Sequence, residues 1–247
     1  MDKYYKEFEL NDNDLAIIET TVSKFNLSNS SCDDDCDCSK ETIEFYKELN
    51  WIDEDKMSFL EPSPCFLTWM IERHLLKLVD NGFYQENFRN FVEESGSSYD
   101  YVSDHEAHKL RFQWIALPEV KEHYNNIFTN EIVINFVNVT HYPGNFIILP
   151  KGFSWNPKVT QFNDSFITTL EHLETNWRGY ALDYEIKTFE EFKKAFFLDV
   201  FYKNGKLDKS LAIDFKNDSL QTILERLERI YFAINIRSHE ICKSLKK

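Results

Sequence analysis

The stretch from Glu131 to Phe153 reads Glu-Ile-Val-Ile-Asn-Phe-Val-Asn-Val-Thr-His-Tyr-Pro-Gly-Asn-Phe-Ile-Ile-Leu-Pro-Lys-Gly-Phe, and its interpretation decides whether the chain is all-helical or also carries a sheet. Residues 131–137 and 145–149 are rich in β-branched and aromatic side chains, which suit a pleated, half-buried surface. Both runs are read as strands, although a buried helix explains the first equally well. Between them, Gly144 permits a tight or positive-φ backbone, and the Asn145 side chain can tie such a turn together. The fold class that follows is α+β, predominantly α-helical, with a small β element near residues 131–149.

Outward from this stretch the pattern is helical. From Asp218 onward, Leu220, Ile223, Leu224, Leu227, Ile230, Tyr231 and Ile234 form one apolar stripe and predict a long final helix. Thr188 and Glu191 match a capping box ahead of Phe192, Phe196 and Val200, and Asn204-Gly205 is expected to close that helix. Asp164 is a candidate cap for a helix with Phe166, Leu170, Leu173 and Trp177. Pro118 opens a short helix with Val120, His123, Tyr124 and Ile127. Ser63-Pro64 starts another that carries Phe66 to Leu78 and is expected to end at Asn81-Gly82, with a shorter helix around Phe88, Phe91 and Val92. Ser39 is a candidate N-cap for a helix with Ile43, Tyr46 and Leu49.

The chain has 247 residues, 43% of them hydrophobic, with 22 Phe, 12 Tyr and 5 Trp. That is enough aromatic bulk for a substantial core, and a single domain spanning 1–247 is expected. Residues 1–40 are read as an acidic N-terminal extension with an exposed loop at 25–40. The first 60 residues hold 16 Asp+Glu against 6 Lys+Arg, so they supply −10 of the formal net charge of −14. Such a surface repels phosphate backbones, which disfavours nucleic acid as a general partner. No secretory leader or membrane-length apolar run is visible, and the odd count of 5 Cys suits a reducing compartment. A cytoplasmic protein with no membrane partner is expected.

Candidate chemistry is sparse. Cys32, Cys36 and Cys38 could offer thiolates to a metal, with Cys65 or a histidine as a fourth ligand, but four aspartates suit the loop equally to water. No glycine-rich phosphate loop, zinc-protease or nucleophile-elbow motif is present. His239 and Cys242 lie three apart on the last helix without an evident third group. His74, His123 and His172 fall within helical patterns as packed or surface residues.

Two resemblances attach to the central stretch. His141-Tyr142-Pro143-Gly144-Asn145-Phe146 with Leu149-Pro150-Lys151-Gly152-Phe153, followed by Asp164 to Leu170, resembles the T-I-G-N-F-x-x-x-P-K-x-F-N and D-x-W-D-L-T-L motifs of an uncharacterised bacterial family, a domain of unknown function. Ser39 to Trp51, Phe189 to Val200, and Tyr231 to Ile241 with Arg237 are similar to further segments of that family. Tyr142-Pro143 replaces its usual Thr-Ile. More locally, His105, Asn145 and Asn156 resemble the site of HNH-type nucleases of modification-dependent restriction systems. By that resemblance His105 would be the general base, and the two asparagines would organise a Mg²⁺ ion.

The leading expectation is a protein-interaction or regulatory component with another protein as partner, set in phage defence or a mobile element, and with no cofactor. A metal-dependent HNH-like nuclease is one alternative. An acidic inhibitor of a nucleic-acid-binding protein is the other.

Overall fold

A computed structural model describes residues 10–27, 40–51, 58–62, 74–99, 110–111, 113–139, 142–150, 166–178, 185–214 and 216–245. The described chain is mostly helical, with small antiparallel β elements. In chain order it contains α1 (Asp12–Lys24), α2 (Lys40–Glu48), β1 (Ser58–Pro62), α3 (Leu76–Glu94), α4 (Pro118–His123), α5 (Asn125–Phe128), α6 (Glu131–Asn138), a 3-10 turn (Pro143–Asn145), β2 (Phe146–Pro150), α7 (Phe166–Asn176), α8 (Phe189–Ala195), β3 (Tyr202–Lys203), β4 (Lys206–Leu207) and α9 (Leu220–Ser244).

Helix α9 organises the packing. Ser219 caps it through a bond from Thr222 N to Ser219 Oγ, and its first half buries one stripe, Ile223, Leu224, Leu227 and Ile230. From Ala233 to His239 it is enclosed on every side, since every residue of that run is buried. A helix changes from amphipathic to surrounded where neighbours reach its far face. Here α1, α6 and the 143–145 turn pack against it. No helix among the described residues is long and apolar enough to cross a membrane.

The central stretch divides differently from the sequence expectation. Residues 146–150 form β2, but the run at 131–137 is helical and belongs to α6. Asn130 caps α6, its Oδ1 accepting from the backbone N of Ile132 (3.0 Å) and of Val133 (3.4 Å). Val133 and Phe136 are buried on it, with Val139 just beyond. A β-branched run satisfies period 2 and period 3.6 alike; a good N-cap and a partner surface on α9 select the helix. The strand that pairs with β2 is β1, antiparallel, running from Ser58↔Pro150 to Pro62↔Phe146.

Two helix ends also move. The helix end expected at Asn81-Gly82 falls one residue earlier. Asp80 breaks α3 with φ −153° and ψ 86°, and its Oδ1 accepts from Phe83 N at 3.0 Å, so the break is the N-cap of the segment that follows. Likewise α8 ends at Phe196. Leu198 N bonds Lys193 O and Phe197 N bonds Lys194 O, with Phe197 at φ 53°, a Schellman closure built on a phenylalanine. Asn204-Gly205, both at positive φ, form the two-residue hairpin between β3 and β4. The capping box of Thr188 and Glu191 and the Pro118 start are as the sequence predicts. Asp164, Ser39 and the Ser63-Pro64 start lie outside the described residues, as do residues 28–39 of the loop expected at 25–40, with Cys32, Cys36 and Cys38; at its described ends Leu27 is buried and Lys40 begins α2.

Candidate functional site

The turn singled out by sequence lies inside the molecule. Pro143, Gly144 and Asn145 are all buried, and Asn145 is 1% exposed. Three side chains hold the backbone there. Tyr46 Oη on α2 donates to Pro143 O at 2.9 Å. Gly144 N donates to Ser238 Oγ at 2.9 Å, and that hydroxyl donates onward to Ile234 O at 2.7 Å. Arg237 Nη1 donates to Gly144 O (2.8 Å) and Phe146 O (2.6 Å), while Nε and Nη2 both donate to Phe196 O (3.1 and 3.0 Å). One guanidinium thus ties the turn, β2 and the C-cap of α8 to α9.

The glycine is required by proximity. A Cβ at Gly144 would stand 2.2 Å from Ile234 O, 2.6 Å from Ser238 Oγ and 2.8 Å from Ser238 N. Its φ is not positive, so the conformational freedom expected from the sequence is not what the position uses. Absence of a side chain lets the turn lie directly on the backbone of α9.

Burial lowers the Arg237 guanidinium to about 10, against a smaller raising effect of Tyr46, and the group remains a cation at neutral pH. Carbonyl dipoles, including that at the C-terminus of α8, face the charge. Burial pushes the Tyr46 phenol well up, so it stays a donor. This network positions backbone. Its guanidinium donors point at main-chain oxygens and the Ser238 hydroxyl both accepts and donates within the fold.

Of the three residues that resemble a nuclease site, Asn145 is buried in this turn, and His105 and Asn156 lie outside the described residues. Among the described residues no group of three or more His, Cys, Asp or Glu is placed to hold a metal ion.

Other candidates can be ranked by what their groups face. His239 Nε2 lies 3.2 Å from Asp14 Oδ1, and Nδ1 lies 3.5 Å from Glu240 Oε1. Both ring nitrogens point to carboxylates, so neither is placed to activate the thiol of Cys242, which is itself buried. His123 stacks on Phe83 (3.5 Å between centroids, 8°) and its Nε2 lies 3.0 Å from Asp80 Oδ2. The Asp80 carboxyl is held below its usual range, first by the Phe83 amide and then by His123. Its geometry is that of a helix cap joined to α4, since Tyr124 Oη also donates to Asp80 O at 3.1 Å.

A cleft of about 620 Å³ beside α8 contains Lys193, only 3% exposed. Its ammonium lies 2.8 Å from Glu190 Oε1, 3.8 Å from Asp199 Oδ1 and 4.6 Å from the Tyr202 ring centroid. The charge is already neutralised by the protein's own groups, leaving little for a ligand.

The remaining candidate is a surface. Large hydrophobic side chains exposed among the described residues are Leu78 (41%), Ile134 (41%) and Val137 (39%). Two of them stand one turn apart on α6. On the other flank of that helix, a groove of about 240 Å³ runs between α6 and α9, lined by Glu131, Ile132, Asn135, Glu228, Tyr231 and Phe232. The sequence reading missed this face because it took 131–137 as a strand, which sends alternate residues to opposite sides. On a helix the same residues give Val133 and Phe136 to the core and leave Ile134 and Val137 outside.

No family model, curated protein or solved structure matches this chain.

Proposed function

We propose that this protein is an interaction or regulatory component that docks another protein over the outer face of α6 and the adjoining α6–α9 groove. The observation that carries this reading is the exposed Ile134–Val137 pair on a helix whose other flank walls a groove with partly exposed Ile132, Tyr231 and Phe232. Scattered exposed apolar residues need no explanation, but a pair one turn apart on a helix that also walls a groove offers area that a partner can remove from water. The buried turn supports the same reading from the other side, since its geometry is spent on holding the fold.

The test compares the wild-type chain with an Ile134→Glu, Val137→Glu variant in cross-linking capture from its native cells. A partner recovered by the wild type and lost with the variant, at unchanged circular dichroism, is expected. Equal recovery by both would remove α6 as the docking face. The metal-dependent nuclease alternative rests on the resemblance of His105, Asn145 and Asn156. Mg²⁺-dependent cleavage of DNA or RNA that disappears in His105→Ala would establish it instead.

A further inference from the structure

We infer that the occupant of the α6–α9 groove is a basic amphipathic segment of a partner protein, presenting an apolar side chain flanked by Lys or Arg; this rests on the docking reading above. Size comes first. About 240 Å³ lies below the 300–1,000 Å³ usual for small-molecule sites, and suits one or two inserted side chains of a peptide. Chemistry comes next. The apolar lining is Ile132, Tyr231 and Phe232, and the titratable side chains are Glu131, Glu228 and the Tyr231 phenol, with no cation among them.

Neither Glu131 nor Glu228 forms an ion pair with a described residue. Glu225 continues the acidic edge one turn before Glu228 on α9 and is exposed. A part-apolar slot rimmed by carboxylates that have no ion pair among the described residues selects a hydrophobic anchor bracketed by cations. The formal net charge of −14 adds long-range attraction for such a segment and repels a second copy of this chain.

The experiment measures binding of two synthetic amphipathic peptides with one apolar pattern, one of leucine and lysine and one of leucine and glutamate, by fluorescence anisotropy on the full chain. The leucine–lysine peptide is expected to bind, and its affinity to fall about tenfold on reversing both groove charges in Glu131→Lys, Glu228→Lys. Reversal of two exposed carboxylates that do not line the groove, Glu93→Lys and Glu94→Lys on α3, is expected to change it by less than about twofold. Equal loss in both variants would reduce the effect to overall charge and overturn the inference. So would binding of the leucine–glutamate peptide instead, failure of both peptides, or a concentration-dependent dimer abolished by Ile134→Glu. If capture of the cellular partner depends on Ile134 and Val137 while the lysine peptide ignores Glu131 and Glu228, the basic occupant falls and the docking face stands. If neither dependence is seen, both fall.

Discussion

The turn at 143–145 and helix α6 are near neighbours in sequence and both lean on α9, yet they spend their residues in opposite ways. The turn gives up its surface entirely: Gly144 touches the α9 backbone, and the main-chain oxygens of Pro143, Gly144 and Phe146 accept from Tyr46 and Arg237. Helix α6 satisfies its own backbone internally, so it can bury Val133 and Phe136 and still leave Ile134 and Val137 in water. An irregular turn can enter a core only if side chains elsewhere supply its missing partners, whereas a helix needs none. Regions of the first kind tolerate almost no substitution. Regions of the second kind are free to vary, or to bind.

That contrast can be broken experimentally. The largest effect is expected from Gly144→Ala, because the added methyl meets the main chain of α9, which cannot rotate away; a loss of about 3 kcal/mol or more is expected from overpacking. Urea unfolding gives the measurement, and a loss under about 1 kcal/mol would show that the turn lifts off α9 at little cost. Arg237→Ala should cost about 3 kcal/mol, since three buried carbonyls lose their donor at roughly 1–3 kcal/mol each and partial relaxation recovers some of it. Arg237→Lys should restore only part, because an ammonium cannot span the same three oxygens with a planar fork.

Smaller effects follow at the helix caps. Asp80→Ala removes the acceptor for Phe83 N and should lower the urea midpoint by less than the Gly144 and Arg237 variants do. The pH dependence follows from the same groups. Asp80, Glu191 and Asp214 are held below the usual carboxylate range, led respectively by the Phe83 amide, the Lys187 amide and the Asn217 side chain. In each case the folded state binds its proton at lower pH than the unfolded chain. Their stabilisation is therefore fully present above about pH 5 and is lost as pH falls through and below about 4. Denaturation midpoints across that range should decline on acidification, with a shallower slope in Asp80→Asn. The smallest effect on stability belongs to Ile134→Ser, within about 0.5 kcal/mol of wild type, as for an exposed position. A loss above about 2 kcal/mol would mean that the α6 face is core after all.

Much of the helical framework was legible because it depends on near neighbours. The Thr188–Glu191 box, the Pro118 start and the α9 stripe involve residues three or four apart, and each formed as expected. Readings went wrong where a local signal serves two structures. Asn204-Gly205 makes a helix end or a hairpin, and only β4 pairing with β3 decides between them. The break expected at Asn81-Gly82 falls at Asp80, whose side chain also caps the segment that follows. Arg237 is marked in the sequence only through the resemblance of its segment, and no neighbouring residue reveals its carbonyl partners at 144, 146 and 196.

By itself, the sequence determined a mostly helical chain, its acidic surface, and the importance of the stretch around Gly144 and Asn145. Only the tertiary structure decided what that importance is. Composition, charge and periodicity are sums over adjacent residues and survive without a fold. The demand for glycine at 144 comes from Ile234 and Ser238, ninety or more residues later, in contact with the turn only once the chain has folded.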